Sequence, residues 1–204
     1  MAATAAAQLV ESGMTVGLGT GSTVAHFLPA LAARELAIRC VPTSLATEQQ
    51  GRHLGLDVEP FDSIARLDLT VDGADQIAPD GWLVKGGGAA HTREKIVAAA
   101  TERFVVIADS SKPVAALHGP IPLELHEFGL ASTLRLLGEV TLRDVPRSPD
   151  NGVIADYRGA IGDPGALAAW LEEVPGLVAH GLFPPSLTSV ILIGRGDAVE
   201  RIDR

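Results

Sequence analysis

"MTVGLGTGSTVAHFLPALAAREL" (residues 14–36) sets the fold class. Its first part, MTVGL (14–18), has the length and the β-branched, apolar make-up of a strand. Glycines then break the run, and STVAHFLPALAAREL (22–36) continues with apolar residues at helical spacing. The same alternation recurs downstream. IRCVP (38–42) reads as a strand and LATEQQGRHLG (45–55) as a helix. LDLTVD (67–72) and WLVK (82–85) read as strands, AHTREKIVAAAT (90–101) as a helix and RFVVIAD (103–109) as a strand. This predicts an α/β fold with a largely parallel sheet and helices on both faces. Ligands of such sheets sit beyond the carboxyl ends of the strands. The polar clusters fall at those places: after Leu18, after Val41, at Asp72, at Lys85 and at Asp109.

From about Pro120 the texture changes. IPLELHEF, EVTLRD and GVIADY read as strands, LASTLRLLG and PGALAAWLEEV as helices, and GLVAHGLFPP as extended chain. SVILIG (189–194) has the look of a buried strand that rejoins the main sheet. The expected division is an α/β catalytic domain over 1–119 and 190–204, with a smaller α+β domain over 120–189.

Composition narrows the function. The chain has 204 residues, 47% of them hydrophobic, enough for a sizeable core. No run approaches the ~20 apolar residues of a membrane helix, and MAATAAAQLVESG carries no signal-peptide pattern. Cys40 is the only cysteine, which excludes an intrachain disulfide or a cysteine-based zinc site and fits a reducing, cytoplasmic setting. A formal charge of −9 argues against nucleic-acid or membrane-surface partners. Of 16 basic residues only Lys85, Lys95 and Lys112 are lysine, and two of them stand in loops beside small residues, in VKGGG and DSSK. Lysine is a compact, flexible point charge where arginine is a planar fork, so these two are candidates for a ligand contact.

Four motifs carry chemistry. In GLGTGSTVAHF (17–27), backbone amides at a helix start join the hydroxyls of Thr20, Ser22 and Thr23 in an anion site. The alternative is an ordinary N-cap by Ser22. A dinucleotide fingerprint lacks its third glycine, because Ser22 stands there, and no Gly-Lys pair supports a nucleotide phosphate loop. A small phosphate ester fits better. PTSLATEQQ (42–50) has helix-start chemistry, with Thr47 and Gln50 at capping-box spacing, and no catalytic role. LTVDGADQI (69–77) puts Asp72 and Asp75 on one tight turn, where a cation or ligand hydroxyls should offset their repulsion. An Asx turn is the plain alternative. In LVKGGGAAHTREKIVAAA (83–100), three glycines let backbone come close to a ligand, and Lys85 and Glu94 flank the place. His91 reads as structural. A phosphate cradle, carboxylates and a lysine together suit proton transfer next to a carbonyl in a phosphorylated sugar.

In order, GTGST, VPTS, DGAD, KGGGAA-TREK and AD-SK, then DNG, PG and GLF, closely resemble the A type of ribose-5-phosphate isomerase over nearly the whole chain. The resemblance implies a metal-independent, cofactor-free aldose–ketose isomerase of the pentose phosphate pathway, acting on a sugar phosphate and assembling as a homodimer or homotetramer. It also implies that Thr20, Gly21, Ser22 and Thr23, Asp72, Gly73, Ala74 and Asp75, Lys85, Gly86, Gly87 and Gly88, and Lys112 bind substrate. Glu94 matches the family's catalytic proton acceptor, Asp72 a carboxylate implicated in ring opening, and Lys85 with Asp75 the polar pair near the reacting oxygens. The chain departs from the family pattern at Gln76 (usually Glu), at His91 (usually Leu), at Pro149 and Val153 around DNG, and in having no lysine before Lys85. An amino-sugar phosphate deaminase and a non-catalytic sugar-phosphate sensor are the competing readings; Glu94 favours an enzyme over the sensor.

Overall fold

The computed structural model describes residues 1–204. In chain order the elements are α1 (Ala2–Ala7), β1 (Thr15–Leu18), α2 (Ser22–Ala32), β2 (Arg39–Pro42), α3 (Leu45–His53), β3 (Leu67–Gly73), β4 (Gln76–Ile77) and β5 (Leu83–Val84). Next come α4 (His91–Ala99), β6 (Thr101–Asp109), β7 (Ile121–Leu125), α5 (Leu130–Leu137), β8 (Val140–Leu142), β9 (Val153–Tyr157) and α6 (Pro164–Glu172). The chain ends with β10 (Leu177–His180), β11 (Leu182–Phe183), β12 (Val190–Arg195) and β13 (Ala198–Asp203). Two compact units result: Met1–Ala74, Arg93–Lys112 and Ser186–Arg204 form the first, Asp75–Thr92 and Pro113–Pro185 the second.

The first unit is built on a six-stranded sheet of order β13-β12-β6-β3-β1-β2. Every pairing is parallel except that of β12 with β13. Strands β2 and β3 lie on opposite sides of β1, so the order reverses there and leaves a crevice at the carboxyl ends. Alternate residues of the central strands point to one face. Val16, Leu18, Leu69, Val71, Val105 and Ile107 join Val24, Phe27, Leu28 and Leu31 of α2 and the alanines of α1 in one buried cluster. Gly17 and Thr70 point the other way, where Val97 of α4 lies so close that a β-carbon on Gly17 would come within 2.8 Å of it. The sheet is thus covered by helices on both faces, as the alternation predicts. β12 joins β6 in parallel, as SVILIG predicts.

The outer edge of β2 is met by a loop. Cys40 N–H donates to the Asp57 carbonyl at 2.8 Å, and the Cys40 carbonyl accepts from Glu59 N–H at 2.9 Å. Burial, reinforced by Asp57 and Glu59, pushes the Cys40 thiol up to about 12, so it remains an inert core thiol at neutral pH.

The second unit holds a four-stranded antiparallel sheet, β10-β7-β9-β8, and a three-stranded one, β11-β5-β4. Ile121, Leu123 and Leu125 of β7 pack with Leu167 and Leu171 of α6. Asp163 caps α6 by accepting from Ala166 N–H at 2.7 Å, with Pro164 in the first turn, which needs no amide hydrogen. One expectation changes here. The strand in WLVK is antiparallel to β4 and β11, so Lys85 does not end a strand of the parallel sheet. In GLVAHGLFPP, Leu182 and Phe183 are at 0% exposure while Val178 reaches solvent; the most exposed large apolar side chain is Phe128, at 95%. No helix is long and apolar enough to cross a membrane.

Candidate active site

In the first unit, the loop after β1 meets the end of β3 at the strand-order reversal. Asp72 is fully buried, and its Oδ1 accepts from the backbone N–H of Thr20 at 3.0 Å and of Gly73 at 2.7 Å. A β-carbon on Gly19 would fall 2.0 Å from that oxygen, so only glycine fits beside Asp72. The Thr20 hydroxyl lies 2.8 Å from that of Thr43, which donates to the Leu18 carbonyl at 3.1 Å. The Thr47 hydroxyl donates to the Gly19 carbonyl at 2.8 Å. Thr43 and Thr47 therefore brace the Gly19–Thr20 loop, a role the sequence reading did not give them. The N-cap of α3 is Ser44, which accepts from Thr47 N–H at 3.2 Å, one turn before the Thr47–Gln50 pairing expected.

Helix α2 starts on Gly21, at φ 112°, with no side chain capping it. Ser22 is not the cap. The first-turn amides have no intrahelical acceptor and no side-chain cap, an arrangement that suits an anion. Ser22, Thr23 and His26 line a cleft of about 280 Å3 with Ala108 and Asp109. At the end of β6, Asp109 is held below the ordinary carboxylate range by hydrogen bonds from Ser111 and by the charge of Lys112. Glu94 belongs to the first turn of α4 and is 4% exposed.

In the second unit, Asp75 is exposed, and its Oδ2 accepts from Gly87 N–H at 2.8 Å. Lys85 is 2% exposed; its Nζ lies 5.4 Å from the centroid of the Phe183 ring, and its backbone N–H donates to the Gly181 carbonyl at 2.8 Å. Gly86 has φ 106°, and a β-carbon there would meet His91 at 2.7 Å and Pro122 at 2.8 Å. Part of the reason for the glycines is therefore internal: the protein's own side chains press on this loop. Gly87 and Gly88 are exposed. The structure brings Thr20 together with Asp72, and Asp75 together with Gly87. Asp72 and Asp75 fall in different units, and each carboxylate accepts from backbone amides.

Several polar residues of the second unit escaped the sequence reading. Glu124 on β7 is 1% exposed and accepts from the hydroxyls of Thr92 and Ser148. Ser148 in turn accepts from the N–H groups of Asp150 and Gly152, at 3.2 and 2.9 Å, and so organises the DNG turn. Arg143 reaches the glycine loop. The signal available was a charged residue inside an otherwise apolar strand, IPLEL. Gln76 makes two hydrogen bonds to the backbone of His118: its amide donates to the carbonyl at 2.7 Å and accepts from the N–H at 2.9 Å. An ionised glutamate only accepts, so the departure at Gln76 suits this contact.

Residues 39–198 match the family model for ribose 5-phosphate isomerase A, or phosphoriboisomerase A. Ribose-5-phosphate isomerase A of Caulobacter sp. (strain K31) is 46% identical, over 97% of this chain and 94% of that one. The solved ribose 5-phosphate isomerase A of Methanocaldococcus jannaschii superposes with a TM-score of 0.93 at 31% identity, covering 100% of this chain and 96% of that one. A further D-ribose-5-phosphate isomerase, solved in complex with phospho-erythronic acid, gives a TM-score of 0.93 at 29% identity, over 100% of this chain and 96% of that one. With motif order, sheet topology and full-length similarity in agreement, the chain belongs to the ribose 5-phosphate isomerase A family.

Proposed function

We propose that this isomerase interconverts D-ribose 5-phosphate and D-ribulose 5-phosphate through an enediolate, with Glu94 as the base. The observation that carries the reading is a carboxylate 4% exposed on the first turn of α4, inside the TREK motif. Asp72 assists opening of the sugar ring. Glu94 then takes the proton from C2, and the C–H electrons form the C1–C2 double bond as negative charge moves to O1. Lys85, Asp75 and the Gly86 to Gly88 loop, whose Gly87 amide holds Asp75, face the reacting oxygens. The hydroxyl proton of O2 passes to O1, Glu94 returns its proton to C1, and the oxygen on C2 becomes the carbonyl. A base sheltered from water keeps the proton for the second step.

The phosphate is assigned to Thr20, Gly21, Ser22 and Thr23, where the α2 amides lack a side-chain cap, with Lys112 supplying positive charge. Gly73 and Ala74 complete the substrate contacts with Asp72 and Asp75. The complex of the related isomerase with phospho-erythronic acid, a phosphorylated sugar acid, supports a ligand of this class. No cofactor enters the scheme, and no metal is required. A cytoplasmic homodimer or homotetramer is the expected setting, from the family resemblance and the exposed Phe128.

The test is a coupled assay of ribose 5-phosphate conversion, run with and without excess chelator, on the parent and on Glu94→Gln. The variant keeps the shape and removes the base, so kcat should fall by at least ~100-fold. Substrate binding by calorimetry should change far less. Parent activity should survive the chelator. A folded Glu94→Gln protein turning over within a few-fold of the parent would assign the base elsewhere, Asp72 first.

A further inference from the structure

Arg143, just after β8, is joined to Asp156 on β9, with the two side chains only 16% and 11% exposed. Its Nε and Nη2 donate to Asp156 Oδ1 at 2.9 and 2.6 Å. Its Nη1 turns to the glycine loop and donates to the Gly86 carbonyl at 2.9 Å, with the Gly87 carbonyl at 3.4 Å. In a trans peptide the N–H points away from the C=O of the same unit. A Gly86 carbonyl held by Arg143 therefore aims Gly87 N–H in the opposite direction, where Asp75 Oδ2 receives it at 2.8 Å. The Gly87 carbonyl lies toward the same guanidinium, which constrains the Gly88 N–H of that peptide in the same manner.

Glycine peptides have little preference of their own among such orientations. A guanidinium suits the task. Its planar fork binds a carboxylate with two donors and keeps a third for a carbonyl, which a lysine ammonium does not reproduce in one geometry. His91 and Pro122 crowd Gly86, and the Gly86 carbonyl also accepts from Ala89 N–H at 3.1 Å; Arg143 is the side chain that holds the carbonyls of Gly86 and Gly87.

We propose that Arg143, anchored by Asp156, is a positioning residue that sets the amide directions of the Lys85–Gly88 loop for turnover. Its effect on catalysis rests on the function proposed above; its effect on the loop does not. The test uses the full chain with Arg143→Lys, Arg143→Ala and Asp156→Asn. Arg158→Ala is the control, since Arg158 is exposed and donates to Thr141, not to the loop. In Arg143→Lys and Arg143→Ala, kcat for ribose 5-phosphate should fall at least ~10-fold, as for other displacements of a reacting geometry. KM should move less, because the phosphate contacts are untouched, and millimolar guanidinium should restore part of the loss in Arg143→Ala. Arg158→Ala should match the parent. In the same variants, the Gly87 amide should exchange with solvent at least ~10-fold faster by NMR. If Arg143→Ala fails to fold, Arg143→Lys and Asp156→Asn carry the same two measurements. A folded Arg143→Lys with parent kcat and parent Gly87 exchange overturns the proposal. A parent protein inactive on ribose 5-phosphate would defeat the functional reading alone, and the Gly87 exchange rates would still decide the clamp.

Discussion

Lys112 is one of three lysines in a chain that otherwise uses arginine, and it sits half-buried where β6 ends. Its backbone N–H donates to the Asp109 carbonyl at 3.3 Å, and its charge helps hold Asp109 ionised. A chain of formal charge −9 repels a phosphorylated sugar at long range, so attraction has to be local. One charge-assisted contact to phosphate contributes ~1.5–3 kcal/mol. Lys112→Ala should therefore raise KM about 10-fold at low ionic strength, and the difference from the parent should shrink as salt screens it. Equal KM values and equal salt dependence in the two proteins would reduce Lys112 to a partner of Asp109.

At the scale of elements, the loop between β1 and α2 is the most tightly constrained connection of the first unit. Gly19 lies against Asp72, Thr20 is tied to Asp72 and Thr43, and Thr47 holds the Gly19 carbonyl. Gly19→Ala forces a β-carbon against a buried carboxylate and should cost about 1–3 kcal/mol. For a protein of this size each kcal/mol lowers Tm by ~2–4 °C. Activity should fall further than stability does if Asp72 has the proposed part in ring opening; a Gly19→Ala protein with parent Tm and kcat would contradict this. The β1-turn-α2 unit was legible in the sequence because all its signals are local: strand composition, glycine punctuation and helical period fall within 23 residues. The small antiparallel sheet was not. β5 pairs with β11 through Val84 and Leu182, far apart in sequence, and two-residue strands carry no period to detect. β13 was missed for a related reason, being a charged edge strand with little apolar alternation. The site divides in the same manner. Thr20, Asp72, Lys85 and Glu94 announce themselves through their immediate neighbours, whereas Arg143 and Glu124 act on loops remote in the chain and leave no local pattern.

At the scale of the whole molecule, the proposed self-association can be tested at the second unit's surface. Phe128 is 95% exposed and borders a groove of about 550 Å3 with Gly129, Ser132, Leu136 and Pro175. Light scattering should report a dimer or larger species, and Phe128→Ser should shift the mass toward the monomer; a monomer mass in the parent across a wide concentration range would end the idea. Sheet extension is a poor alternative route, because one margin of the six-stranded sheet is covered and the other is charged. On one side the chain around Val58 already bonds to β2. On the other, β13 presents Glu200, Arg201 and Asp203, with Arg195 paired to Glu200 and Arg201 to Asp203 at 2.6 Å. Charged side chains along an exposed margin deter another chain's backbone from docking there. The terminal hairpin is thus a guard against fibre-like polymerisation, and stripping its charges should produce aggregates well before it alters the rate of isomerisation.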